Sequence, residues 1–500
     1  MRCVKSGYER MWNWSDKRVK ALVCVLIAMG VTVLYLAVNS VTLDADPYWH
    51  VALGKYIVQH KSIMKEDVFS WWGAEQGYIE TAHSWLGSVI LYVFSLLPCS
   101  IMTSFRLYTG MCCFVLVFLL LWFAPLLISS VKVDKKNVIY LCFVGFLAVF
   151  AITWHARPMS IGNILFYLVL LLLYDVWLHP ETRRFLLIVP LVVLWANIHG
   201  GAWIVCMAVC LMFLVASVIP DFNAYGVVHK VVNRPLARKR FLFVCASCIF
   251  GGMVNPYGYK LFIYPFVTNS AALKSVVGEF KPPTLTLMSF AYAVMLLVIV
   301  FIIKGRVDFP FIYAAPIVGC TILTLQHLRI VNYLSIWLLL FLVTILPAIM
   351  ASFEETPPDE MFVKTINGCV IVCLSAIIAF LAGYNYVGFK DRISQELLDA
   401  MDEYSVERMF SPYDTGGFLI YHGRQSFVDS RGDLFSDDDV CDIYTFLLRD
   451  MHDSEIQEYV DKYQFDSLLL PHTAIADYFE TSPDWSRVYE DENWYLYVAE

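Results

Sequence analysis

Apolar runs long enough to cross a bilayer recur along almost the whole chain, and they dictate the class of fold before any single residue is considered. Each run must satisfy its own backbone hydrogen bonds in hydrocarbon, so each is expected to be a helix. The runs fall at about 21–41, 107–130, 137–154, 159–178, 185–197, 201–219, 241–254, 285–303, 309–325, 330–350 and 365–386, about eleven spans in all. Of the 500 residues, 59% are hydrophobic and 16% are charged, with a mean hydropathy of +0.62, far from the balance of a soluble domain. The formal net charge of -8 argues against nucleic acid as a partner. The 14 cysteines include Cys24, Cys112, Cys113, Cys206, Cys210, Cys245, Cys248, Cys320 and Cys373 inside apolar runs, without framework or paired metal-ligand spacing. They read as small buried hydrophobes.

Lysine and arginine in short joints set the sidedness of such a chain. Arg2, Lys5, Arg10, Lys17, Arg18 and Lys20 precede the first span, and no small-residue cleavage site precedes Asp44. Residues 1–20 are therefore expected to be a cytoplasmic basic segment, and the first span an uncleaved signal anchor. The joints 132–136, 179–184, 229–240, 304–306 and 354–364 then face the cytoplasm and hold nearly all the basic short loops. The opposite joints carry Asp44 and Asp46, His83, His155 and Arg157, Asn197 and His199, Asn255, and His327 and Arg329, although the charge rule made no use of them. Ionisable groups at membrane depth are costly unless they pair or line a cavity, so their gathering on one face reads as a site.

The expected architecture is an α-helical polytopic membrane protein: a transmembrane region over 21–389 with an outer loop at 42–106, then an extracytoplasmic α/β region over 390–500. The segment from His83 to Leu97 is apolar but short, and counting it as a span would invert the basic loops, so it is read as a helix in the outer leaflet. Pro47 to His60 sets Val51, Ala52, Ile57 and Val58 against a polar face of His50, Lys55 and Gln59, the pattern of an interfacial helix. After about Arg392 the apolar runs shorten to strand length, at Phe418 to Tyr421, Ser467 to Leu470 and Trp494 to Val498. They alternate with helical stretches at Asp437 to Arg449 and Ser454 to Tyr463.

Each polar cluster has an ordinary reading beside the functional one. Asp44 or Asp46 could cap the helix that begins near Pro47, but capping accounts for one acid, not for two acids and His50 at a membrane surface. Arg157 could anchor a span at the headgroups. Asn197 to Gly201 could be a tight reversal, and Asn255 to Gly258 a structural turn. His327 and Arg329 occupy a very short joint, where a guanidinium fork suits phosphate oxygens. Together these groups fit transfer from a lipid phosphate donor. A carboxylate takes the proton of an acceptor hydroxyl, the oxygen attacks the anomeric carbon, and cations stabilise the departing phosphate. Attack opposite the phosphate inverts the anomeric configuration.

The chain resembles the GT-C superfamily of integral-membrane glycosyltransferases, and within it a largely uncharacterised bacterial group. The residues that carry this are Asp44, Asp46, Pro47, Tyr48, Trp49, His50, Gly54 and Ile57, then Asp67, Phe69 and Ser70, His83, Trp85 and Leu86, and Arg157 with Pro158. Further on come Asn197, His199, Gly200 and Gly201, Asn255 to Gly258, Tyr413 to Gly417 and Asp429 to Asp433, so most of the chain is covered. The resemblance implies a polyprenyl-phosphate-linked sugar donor, an extracytoplasmic acceptor and an acid base in the first outer loop. That base maps onto Asp44 or Asp46, with Asp44 favoured and Asp46 orienting. Where relatives often carry Glu after the motif histidine, this chain has Ser84, and Glu80 is the substitute one helical turn earlier. The substrate-binding set is His50, Glu80, His83, Arg157, Asn197, His199, His327 and Arg329, of which Arg157, His199, His327 and Arg329 face the carrier phosphate. The resemblance admits a divalent cation on Asp44, Asp46 and His83.

Two rival classes stand beside this. A transporter would gather ionisable groups near the midplane on broken helices, often with internal repeats, and the sequence shows neither. A catalytically silent scaffold for envelope polysaccharide assembly would keep the architecture without the activity.

Overall fold

The computed structural model of the protein describes residues 17–38, 45–127, 155–267, 281–283, 295–296, 299–300, 309–355, 392–432 and 434–500. Asp44, Asp433, the expected spans at 137–154 and 365–386, and most of that at 285–303 lie outside them. The described helices of the first two thirds are α1 (Lys17–Val38), α2 (Asp46–His60), α3 (Trp71–Glu75), α4 (Trp85–Ser95), α5 (Ile101–Leu127), α6 (Pro158–Leu178), α7 (Ile188–Ile198), α8 (Trp203–Ala216), α9 (Arg234–Gly252), α10 (Lys260–Val267), α11 (Phe311–Thr324) and α12 (Val331–Glu355).

Three segments, Ile101–Phe123, Pro158–Leu178 and Leu328–Ile345, are long and apolar enough to cross a membrane. The other apolar helices are shorter, among them Ala21–Ala37, Arg184–Ile198, Gly200–Ala216 and Phe311–Thr324, so a count of eleven stays an expectation. Their apolar surface is buried on neighbouring helices in one continuous core that includes Leu116, Phe166, Trp195, Phe213, Phe241 and Trp337. The protein is a helical membrane protein with a small C-terminal sheet region.

The joints segregate to two ends. At one, β1 (Phe222–Ala224) and β2 (Val227–His229) form a hairpin, and β3 (Phe309–Pro310) pairs parallel to β2. This small sheet ties two joints that the charge pattern assigns to the same side. There too Arg184 grips Asp175 through two contacts of 2.8 and 2.5 Å. At the other end lie α2 to α4, the turns at 155–158, 198–202 and 253–259, and the C-terminal region.

That region contains α13 (Gln395–Glu403), β4 (Met409–Phe410), α14 (Gly416–Tyr421), α15 (Asp437–Leu447), α16 (Asp453–Tyr463), β5 (Ser467–Pro471), α17 (Ala474–Glu480), β6 (Trp485–Glu490) and β7 (Trp494–Ala499). The sheet runs β4-β5-β7-β6, with β4 parallel to β5 and the remaining pairs antiparallel. Phe418 to Tyr421, expected as a strand, is helix α14. Its apolar side chains pack on α2, where Tyr48 meets Phe418 and Tyr421 edge-on at ring distances of 4.6 and 5.3 Å.

Helix α2 is covered by protein on more of its surface than the expected two-faced pattern implies. Its residues Pro47 to Val51, Leu53, Gly54 and Ile57 are buried, so it is covered by α4 on one side and α14 on another. Lys55 and Gln59 are exposed as expected, whereas His50 is not.

Candidate active site

Helix α2 begins at Asp46, with Pro47 in its first turn and Ala45 at the N-cap, where no side chain caps the helix. The Asp46 carboxylate is used otherwise. One oxygen is 2.9 Å from Arg157 Nη1, and the other accepts from Trp49 Nε1 at 3.2 Å. Both partners of this ion pair are mostly covered, at 17% and 16% side-chain exposure, so solvent screens it little. Arg157 is placed by its backbone: it holds the extended N-cap position of α6, and its carbonyl accepts from Tyr108 Oη on α5 at 2.9 Å.

One turn further along α2, His50 is buried against α4. A Cβ on Gly54 would lie 2.2 Å from the Ser88 carbonyl, so only glycine lets α2 and α4 approach this closely. The approach sets His50 Nδ1 2.8 Å from Ser88 Oγ. Ser88 Oγ in turn lies 3.2 Å from the Ser84 carbonyl, to which it can donate, so His50 is tied through Ser88 to the backbone of α4. Burial first, then the charges of His83, Arg157 and His199, hold the His50 pKa well below the ordinary imidazole value of 6.5. His50 is neutral at physiological pH.

His83 and His199 meet from separate parts of the chain. Gly200 N donates to the His83 carbonyl at 2.9 Å, and the two imidazole rings are 6.0 Å apart. His83 also packs on Tyr264 of α10 at 4.5 Å. Asn197 fixes this turn: its Oδ1 accepts from Trp85 Nε1 at 2.8 Å, and its Nδ2 donates to the carbonyls of Val193 and Val254 at 2.8 and 2.7 Å. With those bonds made, Asn197 holds the scaffold of the site together.

The C-terminal region packs on the start of α2 beside Asp46. Tyr413 stands near Asp46: burial, then the Asp46 carboxylate, raise the phenol well above its ordinary range and keep it a neutral hydroxyl. Arg431 locks this region in place. Its guanidinium meets Asp429 at 2.8 and 2.6 Å, Asp67 at 2.7 and 3.2 Å, and Glu80 at 2.8 Å, all buried. Glu80, expected to bind substrate, has one carboxylate oxygen in this lock between the first loop and the C-terminal region. Trp71 joins the lock, stacking on Phe427 at 5.3 Å and donating to the Met409 carbonyl at 3.1 Å.

The described contacts therefore bring Asp46, His50, His83, Arg157 and His199 to one junction of α2, α4, α6 and α7. His327, half-buried, and Arg329, exposed, sit in the short turn between α11 and α12. Arg329 lies within electrostatic range of Tyr333, whose ring packs on Phe166 at 4.9 Å. With Asp44 outside the described residues, two members of the suggested cation set, Asp46 and His83, can be located. Sequence reasoning did not single out Ser88, and it read the turns holding Tyr413 and Arg431 first as structural, with contact to a ligand as the alternative. Ser88 has no signal of its own, whereas Tyr413 and Arg431 lie in polar, glycine-containing turns.

No family model matches this chain, and no curated protein matches it. Solved structures do. The oligosaccharyltransferase of Archaeoglobus fulgidus tethered to an acceptor peptide containing the NVT sequon aligns with a TM-score of 0.56 and 13% identity, over 92% of this chain and 70% of that one. Its apo form aligns at 0.55 and 10% identity, over 93% and 70%. Its complex with Zn and sulfate aligns at 0.50 and 12% identity, over 90% and 68%. At such identities the likeness shows the fold alone, an oligosaccharyltransferase-like fold that takes in nearly all of this chain.

Proposed function

We propose that the protein is an inverting glycosyltransferase of the GT-C type, which moves a sugar from a polyprenyl-phosphate-linked donor to an acceptor on the outer face of the cell membrane. What supports this reading is one arrangement: a carboxylate, Asp46, held by Arg157 at 2.9 Å beside His50, His83 and His199, next to the C-terminal region, in an oligosaccharyltransferase-like fold.

In this reading Asp44 removes the proton of the acceptor hydroxyl. The oxygen forms a bond to the anomeric carbon, the bond from that carbon to the phosphate oxygen breaks, and the carrier leaves as a phosphate anion. Asp46 orients the acceptor, its own position fixed by Arg157. Arg157 and His199, with His327 and Arg329 from the neighbouring turn, receive the charge of the departing phosphate. His50, neutral, can share a hydrogen bond with a sugar hydroxyl through its second ring nitrogen without adding charge. The N-terminus then lies in the cytoplasm and the C-terminal region outside.

The test is transfer of labelled sugar from a polyprenyl-phosphate donor in membranes containing the protein, compared with Asp44→Asn and Asp46→Asn at equal protein levels. Loss of a base is expected to lower the rate by about 100-fold to 10,000-fold. Unchanged transfer in both variants would reject the roles given to these acids. Absence of transfer from any such donor by the wild-type protein would favour a scaffold.

A further inference from the structure

Three thiols converge in the helical bundle. Cys206 and Cys210 lie one turn apart on one face of α8, and Cys248 comes to them from α9. The Cys248 sulfur is 3.9 Å from that of Cys206 and 3.4 Å from that of Cys210, and all three lie within 4.8 Å of one another. Each side chain is fully buried. Among the described residues this is the one group of three or more His, Cys, Asp or Glu side chains whose donor atoms come so close. Cys206 is about one turn into α8, which starts at the turn carrying His199, so the thiols sit beneath the floor of the candidate site.

Small residues at a helix crossing allow close packing, and alanine would serve that purpose as well. Packing does not call for three sulfurs directed at one point. Around a single ion with metal–sulfur bonds of about 2.3 Å, three sulfurs in a plane stand about 4 Å apart, so the separations of 3.9 and 3.4 Å from Cys248 need only small outward shifts. All three donors are soft sulfur, which selects ions of the same character.

Charge narrows the class further. Three thiols are neutral, and a net charge at this depth is costly. A monovalent cation held by one thiolate, with the other two thiols as weaker neutral sulfur donors, leaves the site neutral, the one displaced proton passing to solvent. A divalent ion would have to displace two protons, and zinc would also want a fourth ligand, where the group supplies three. We infer that Cys206, Cys210 and Cys248 form a binding site for a soft monovalent cation of the Cu(I) class.

The experiment uses the full-length protein in detergent with reduced thiols, loaded with Cu(I) from a chelator complex of known affinity. One copper per chain is expected in the wild type and in Cys245→Ser, whose thiol stands outside the group. Cys210→Ser and Cys248→Ser should weaken retention by about 100-fold or more. X-ray absorption at the copper edge of the wild-type protein should show three sulfur neighbours, a readout that survives any failure of the serine variants to fold. Nitrogen or oxygen neighbours, fewer than three sulfurs, equal retention in Cys248→Ser, or tighter binding of Zn(II) than of Cu(I) would each overturn the assignment.

Discussion

Arg431 and Asp67 stand 364 positions apart in the chain and meet through two contacts of 2.7 and 3.2 Å, with neither side chain more than 2% exposed. Glu80 and Asp429 complete the ring of acids around the same guanidinium. Removing the cation would leave three carboxylates buried and facing one another. Breaking a buried pair from one side costs about 3–5 kcal/mol, so Arg431→Ala should lower the thermal midpoint in detergent and open residues 392–500 to protease. Arg431→Lys should rescue little, because an ammonium cannot reproduce the planar fork. An unshifted midpoint in both variants would show that the lock contributes no stability.

The approach of α14 to α2 rests on Gly417. A Cβ there would lie 2.3 Å from the Ala45 carbonyl, and backbone cannot move aside as a flexible side chain can. Gly417→Ala should cost about 1–3 kcal/mol and, by shifting the start of α2, displace Asp46. Gly319→Ala is the matched control, because nothing lies within 4 Å of the added atom. Equal thermal midpoints for the two variants would contradict this packing account.

The helices of the bundle were legible because hydrocarbon enforces a long apolar period; the described helices overlap expected spans, and three segments are long and apolar enough to cross a membrane. Phe418 to Tyr421 was misread because a four-residue apolar run has the length of a strand and also of one helical turn. Its contacts with Tyr48 decide the matter, and these lie far away in sequence. The polar end was legible as a set of residue types on one side. Their partners were not, since no local period relates Arg431 to Asp67 or His50 to Ser88. Glu80 shows the consequence: nothing near it in the sequence announces its buried contact with Arg431, 351 positions away.

His50 makes the fold sensitive to acid. Its pKa in the folded protein lies well below 6.5, whereas the unfolded chain takes up a proton near that value. Below 6.5 the unfolded state therefore binds more protons than the folded state, and stability declines as pH falls, by about 1.4 kcal/mol per pH unit, until the folded pKa is reached. Above 6.5 this contribution is fully present. Chemical denaturation of the wild type between pH 7.5 and 5 should show the decline, and His50→Gln, which still bonds to Ser88 but does not titrate, should show a smaller one. Identical slopes for the two proteins would remove His50 as the cause.

Asp46 and Arg157 are expected to act as one unit in catalysis. The pair is 2.9 Å apart and largely shielded, so loss of either member frees the other from its position. Asp46→Asn and Arg157→Gln should each lower sugar transfer by about 100-fold, the scale set by misplacing a reacting group by about 1 Å. Once one is gone the other has little left to lose, so the double variant should be no more than a few times slower than either single variant, as for other residues that work jointly. Transfer kinetics in membranes with equal protein content give the comparison. Losses that multiply to about 10,000-fold would mean that the two side chains act on separate steps, with Arg157 serving the carrier phosphate independently of the carboxylate.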